Sequence, residues 1–274
     1  MHIQKTPRRK FFRWIKWIVI IYVVIGVALY FLQEKFLFHP TALKADHKYA
    51  IDAPFREINL PMNNDRVLGI VQFPVADSVP AGVVLYFHGN MQNIERYAPM
   101  AKNFTSNNFE VWMLDYPGFG KSTGERTEKI MYSDAIELYK MALAKFPASQ
   151  IIIYGKSMGT GPASYLASRK DCKRLILESP YYSIEALLDH YAFMYPSSLL
   201  SKYHFPSFEY FPDIAAPISI FHGTDDEIIP FKNAKRLVLK APGVAELIPL
   251  EDGKHNNLND FPLFHSKLDS LLRN

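Results

Sequence analysis

The sequence predicts an α/β protein: a mostly parallel, twisted sheet with helices on both faces and a small lid, preceded by one apolar helix. Three observations carry that expectation. Trp17 to Leu32 is a run of sixteen residues with no charged or strongly polar side chain. From about residue 55, short β-branched or aromatic runs alternate with helical stretches. Two serines, Ser122 and Ser157, sit in the pattern Gly-x-Ser-x-Gly, and the second falls directly between a strand-like and a helix-like stretch.

The first element is the apolar run. Adding Trp14 and Ile15, with Lys16 snorkelling, gives roughly 19 residues, enough for a span at ~1.5 Å rise per residue. Tryptophans at its start and Tyr30 and Phe31 at its end suit the two interfaces. A cleaved signal peptide is disfavoured because "ALYFLQEKF" offers no small-residue cleavage site. Six of the 31 Lys and Arg residues lie in the first sixteen positions, against Lys35, Lys44 and Lys48 soon after the span. That asymmetry predicts a single-pass protein with a cytoplasmic N-terminus and the domain on the opposite side, periplasmic, luminal or extracellular. The expected organisation is a basic segment over 1–16, an anchor over 17–35, a linker over 36–54 and a domain over 55–274.

The formal charge of +4 is concentrated in that basic flank, so the rest of the chain is nearly neutral and nucleic-acid binding has little electrostatic support. A single cysteine, Cys172, excludes an internal disulfide and a multi-cysteine metal site.

In the domain, "FREINL" and "RVLGIVQF", separated by "PMNND", predict a hairpin. Strands follow at "GVVLYFHG", "FEVWMLD", "QIIIYG", "RLILES", "PISIFHG" and "AELIPL". Their nearly continuous apolar character fits parallel strands covered on both faces. Helices are expected over roughly 92–106, 127–145, 158–169, 231–240 and 257–272. Between "LESP" and the next strand lies an aromatic stretch over 181–211, punctuated by Pro196 and Pro206, whose length suits a lid.

A nucleophile elbow is a sharp strand-to-helix turn with small residues two before and two after the nucleophile. Ser157 has Ile151 to Tyr154 as strand, Gly155 and Gly159 as neighbours, and "TGPASYLASRK" as helix. Ser122 follows the loop "DYPGFGK" and precedes polar "GERTEK", so it reads as a loop serine. Neither match is a phosphate-binding loop, since Asp115 and Gln150 stand where that motif needs glycine. A serine hydroxyl needs a base and an orienting carboxylate. "FHGTDDEIIP" offers Asp225 or Asp226 after one strand, which spacing alone does not separate, and "LEDGKHNNL" offers His255 after the last. All three would reach the carboxyl edge of the sheet, where such sheets bind ligands. His88 and His222, each before a glycine at a strand end, read as braces of their turns.

With "YFHGNMQNI", "LDYPGFGKSTG", "YGKSMGTGPA", "LESPYYS", "FHGTDDEIIP" and "GKHNN" in place, the chain resembles the α/β-hydrolase superfamily over about residues 55–272. Within it, the chain looks most like membrane-anchored α/β-hydrolase-domain proteins related to the fungal bud-emergence protein, themselves similar to serine aminopeptidase-like hydrolases. The resemblance implies the α/β-hydrolase fold with Ser157 as nucleophile, Asp226 as the acid and His255 as the base. It places the oxyanion donors at the backbone N–H groups of Met158 and Asn90. Asn90 doubles in this reading as the cap of a helix starting at Met91. No metal or organic cofactor is implied. The expected substrate is an acyl ester or thioester, lipophilic or protein-linked; a peptidase or amidase and a non-catalytic scaffold are the alternatives. Dehalogenation or epoxide opening would need an aspartate in place of Ser157.

Overall fold

The computed structural model describes residues 7–63, 65–76 and 79–273. Residues 1–6 of the expected basic segment, Lys5 included, lie outside the described residues.

Eight strands form one sheet: β1 (Arg56–Met62), β2 (Arg66–Phe73), β3 (Gly82–Phe87), β4 (Phe109–Leu114), β5 (Ile151–Lys156), β6 (Arg174–Glu178), β7 (Ile218–Gly223) and β8 (Ala245–Leu250). Their spatial order is β8-β7-β6-β5-β3-β4-β2-β1. The β1–β2 hairpin and the β2–β4 pair are antiparallel, and every other pair is parallel. Every residue of β3, β4 and β7 is buried, because helices cover both faces. Alternate side chains divide between two cores: Val83, Leu85, Ile153 and Leu177 on one face, Val84, Tyr86, Tyr154 and Ile176 on the other. That division is why the central strands read as unbroken apolar runs rather than alternating ones.

Helix α1 spans Pro7–Leu37, longer at both ends than the apolar run that announced it. Its stretch Lys10–Leu37 is long and apolar enough to cross a membrane by length and composition, with a mean hydropathy of 2.4 and 6% burial in its most apolar window. Helices α2 (Glu128–Leu143) and α3 (Thr160–Arg169) pack on the first core. The aromatic stretch contributes α4 (Ile184–Tyr191), capped by Ser183 Oγ accepting from the Ala186 N–H at 3.1 Å, then single turns at Ser197–Leu200 and Ser207–Tyr210. Helices α5 (Lys232–Val238) and α6 (Pro262–Arg273) complete the layers.

Two expectations differ from the structure. The stretch expected as a helix over 92–106 is broken into Ile94–Tyr97, a 3-10 turn at Ala98–Ala101, and Lys102–Thr105. Its cap is Asn93, whose side chain accepts from the Glu95 N–H, not Asn90; Met91 and Gln92 instead pair in parallel with His39 and Pro40. That pairing belongs to the second difference: the segment 36–54, expected as a linker, is laid down on the domain. Phe38 and Tyr49 are buried, and the Ala50 N–H donates to Glu95 at 2.7 Å. Two aromatic side chains in a short segment supply the apolar area that holds it there.

Candidate active site

The strand register brings the site residues level. Gly155 pairs with Phe87 and Leu177, while Glu178 pairs with Lys156 and Phe221, so β3, β5 and β6 end within a residue of one another and β7 runs two residues further. Ser157 follows β5 immediately, Asp226 lies just past β7, and His255 lies in the loop after β8.

At the elbow, Ser157 adopts φ +51, the left-handed region that costs a non-glycine residue about 1–2 kcal/mol. The chain can turn so tightly only because its neighbours lack side chains. A Cβ on Gly159 would lie 2.1 Å from the Phe87 carbonyl oxygen, and one on Gly155 would lie 2.7 Å from the Ala163 Cβ. The Thr160 hydroxyl donates to the Ser157 carbonyl at 2.6 Å and fixes the first turn of α3.

The Ser157 hydroxyl donates to His255 Nε2 at 2.9 Å, and His255 Nδ1–H donates to Asp226 Oδ2 at 2.8 Å. Asp226 Oδ1 accepts from the Ile228 and Ile229 N–H groups at 3.0 and 2.7 Å. Burial alone would raise the Asp226 carboxyl. Hydrogen bonds from His222, His255 and Ile229 outweigh it and hold the group well below the usual carboxylate range. Asp225 is exposed, with its backbone N–H on the Gly253 carbonyl, so of the two aspartates only Asp226 reaches the imidazole.

Asn90 and Met158 flank Ser157 in the lining of a cavity of about 390 Å³. The loop carrying Asn90 is held from below. The Tyr116 hydroxyl donates to the His88 carbonyl at 2.9 Å, and Asp115 accepts from the Ile94 N–H at 3.0 Å. His88 lies wholly buried, its Nε2 3.2 Å from Asp115. Above, the Asn90 side-chain amide donates to the Leu37 carbonyl at 2.9 Å and the Asn90 backbone carbonyl accepts from the His39 N–H.

Three contributors were not singled out as site residues. His222, read as a turn brace, shares its Nε2–H between the Ile229 carbonyl at 2.8 Å and Asp226 Oδ2 at 3.3 Å, which steadies the carboxylate. Its position four residues before Asp226 is the available signal. Lys156 and Tyr154, two residues apart on the same face of β5, both donate to the buried carboxylate of Glu178 on β6. This buried pair sits directly behind the elbow; its signal is a charged residue at each of two adjacent strand ends. Among the described residues, no group of three or more His, Cys, Asp or Glu is placed to hold a metal ion.

A sheet of this order, with a strained serine after its fifth strand and acid and histidine after its seventh and eighth, defines a class: the chain belongs to the α/β-hydrolase superfamily. Residues 78–205 match the family described as serine aminopeptidase, S33. The chain is 31% identical over 192 residues to the Caenorhabditis elegans α/β hydrolase domain-containing protein aho-3, a match covering 69% of this chain and 57% of that protein. It therefore spans less than two thirds of that relative's length. Among solved structures, the Pyrococcus furiosus esterase Pf2001 is similar at a TM-score of 0.68 and 18% identity, over 86% of this chain and 97% of the esterase. A soluble variant of the Saccharomyces cerevisiae monoglyceride lipase is similar at a TM-score of 0.60 and 17% identity, over 84% and 97%. At these identities the solved structures speak for the fold.

Proposed function

We propose that the chain is a membrane-anchored serine hydrolase that cleaves carboxylic esters or thioesters through Ser157, His255 and Asp226. His255 Nε2 takes the hydroxyl proton as Ser157 Oγ attacks the acyl carbonyl. The N–H groups of Asn90 and Met158 stabilise the resulting oxyanion. His255 returns the proton to the departing alkoxide or thiolate, leaving an acyl-enzyme. It then deprotonates the water that releases the acid. Asp226 keeps the proton on His255 Nδ1 and stabilises the imidazolium. The observation that carries this reading is the unbroken chain of hydrogen bonds from Ser157 through His255 to Asp226, at 2.9 and 2.8 Å.

A peptidase reading is favoured by the description of the matched family. Removing an N-terminal residue, however, calls for a carboxylate to hold the substrate ammonium, and among the described residues no aspartate or glutamate lines the cavity beside Ser157. Leu29, Leu37, Phe38, Leu188 and Phe205 line it instead, which suits an acyl chain. The anchor is α1, oriented by its basic flank with the N-terminus in the cytoplasm and the domain on the other side.

Labelling of the detergent-solubilised chain with a fluorophosphonate probe tests the reading. Wild type and Ser122→Ala are expected to label and Ser157→Ala is not; a folded wild type that takes no label would favour a non-catalytic scaffold.

A further inference from the structure

Helix α1 does not simply leave the domain. Its last turns wall the cavity through Leu29, Gln33, Phe36 and Leu37. Gln33 is buried there, its amide donating to the Leu200 carbonyl at 3.0 Å and its carbonyl accepting from the Lys202 N–H at 2.7 Å. Eleven residues earlier, about 16 Å along the helix axis, the same lid touches α1 again. The Tyr22 hydroxyl donates to the Met194 carbonyl at 2.8 Å, and the Tyr195 hydroxyl donates to the Tyr22 carbonyl at 3.1 Å. The two rings stack at 4.5 Å, and the Tyr195 ring lies 3.1 Å from where a Cβ on Gly26 would sit.

The lid therefore runs beside α1 from Gln33 down to Tyr22. Tyr22 is the sixth residue of the apolar run Trp17 to Leu32. If that run lies in hydrocarbon, anything at the height of Tyr22 lies there too. The lid is built for such a place. Residues 191–201 carry no charge, and Phe193 and Leu199 are 80% and 76% exposed. Their backbone is largely satisfied locally, with Ala192 bonded to Leu188, Tyr195 to Ala192, Leu200 to Pro196 and Ser201 to Ser197. Charge returns at Lys202, whose ammonium lies 3.8 Å from Glu34, at the level where α1 meets the domain.

We propose that residues 191–200 form a second membrane-inserted element beside α1, and that the cavity between the two takes the acyl chain of a membrane-resident ester sideways from the same leaflet. The proposal rests on the anchor and hydrolase readings above. It narrows the substrate class to lipid esters or thioesters that live in the bilayer. The chain passes from lipid to cavity between apolar walls without crossing water, and the reacting carbonyl comes to rest at Ser157.

The test uses the full chain in phosphatidylcholine vesicles. Cys172, whose thiol burial pushes up to about 12, is replaced by serine. Single cysteines at Phe193, Leu199, Val24 and Leu143 carry a bimane, and a doxyl-labelled lipid quenches it. Quenching at 193 and 199 is expected within about twofold of that at 24 and at least fivefold above that at 143. If 193 and 199 quench no more than 143 while 24 quenches strongly, lid insertion is overturned and the anchor stands. If 24 is also unquenched, anchor and proposal fall together.

A second arm tests the route. Phe193→Ser with Leu199→Ser, neither of which lines the cavity, is expected to turn over a long-chain ester in vesicles at least tenfold more slowly. A short soluble ester in detergent is expected to be turned over at the wild-type rate. Equal rates on both substrates, or equal losses on both, overturn the sideways route. A wild type inactive on every ester and blind to fluorophosphonate overturns the hydrolase reading and the substrate part with it, while the quenching result still decides insertion.

Discussion

The segments 155–159 and 120–124 carry the same five-residue pattern, yet the unusual backbone falls on opposite members of it. In the elbow the serine is the strained residue, at φ +51, and the glycines are needed for space against Phe87 and Ala163. In the loop the glycines take the left-handed conformations, at φ +48 and +105, and Ser122 is not among the residues with positive φ. The hydroxyls differ as sharply. Ser122 donates to the Asp115 carbonyl at 2.6 Å and accepts from the Gly69 N–H at 2.8 Å, tying β2 to the loop after β4. Ser157 is nearly as buried, at 8% against 3%, but it lines a cavity and its partner is an imidazole. Burial does not separate the proposed nucleophile from a structural serine; the identity of the partner does. A hydroxyl engaged twice by backbone has no proton to lend.

The largest effect expected from this contrast is on activity. Ser157→Ala removes the proposed nucleophile and should lower ester turnover by at least about a thousandfold, measured on an ester that the wild type cleaves. A variant retaining a tenth of the rate would show that the two serines are less different than their backbones. The next effect is on acid stability. Asp226 is held well below its ordinary range, so the stability it contributes is fully present above about pH 4–5 and is lost as pH falls below that. The gap in unfolding midpoint between wild type and Asp226→Asn should therefore shrink on acidification. The gap between wild type and Ser122→Ala should stay flat, because both partners of Ser122 are backbone groups that do not titrate. Parallel behaviour of the two gaps would remove the electrostatic distinction between the sites.

The elbow was legible because its constraints are local: β-branched residues, then small-x-Ser-x-small, then a helix-forming stretch. The sheet was legible because parallel strands covered on both faces read as unbroken apolar runs. Asp226 was not separable from Asp225 by spacing, since the choice depends on which way a loop turns after β7. The structure settles their placement through the Ile228 and Ile229 N–H groups that hold the Asp226 carboxylate. The buried strap through Phe38 and Tyr49 was not legible because its strand pairing is only two residues long, at His39 and Pro40, and so short a segment carries no periodic pattern to read. The break in the helix expected over 92–106 had a signal in the sequence, Pro99, which interrupts an otherwise regular stretch, and the cap lies three residues beyond the asparagine that the chemistry drew attention to.

Ser122→Ala is expected to cost about 1–3 kcal/mol of stability, because it leaves the buried Gly69 N–H and Asp115 carbonyl without their shared partner. Chemical denaturation measures it, and fluorophosphonate labelling of the folded fraction should be undiminished. A variant as stable as wild type would mean that water or a small shift replaces the hydroxyl, and the structural role assigned to Ser122 would fall.

The smallest effect separates the two backbones most cleanly. At position 157 glycine relieves the left-handed strain that alanine retains, so Ser157→Gly should be more stable than Ser157→Ala by about 1 kcal/mol, although both lack the hydroxyl. At position 122 the φ is ordinary, and the order should reverse, with Ser122→Gly less stable than Ser122→Ala by up to about 1 kcal/mol from the added freedom of the unfolded chain. Because each comparison holds the lost hydrogen bond constant, the sign of the difference reports backbone conformation alone. Finding the same sign at both positions would mean that the elbow is not strained in solution, and that exposure of Ser157 to the cavity comes from its neighbours rather than from its own φ.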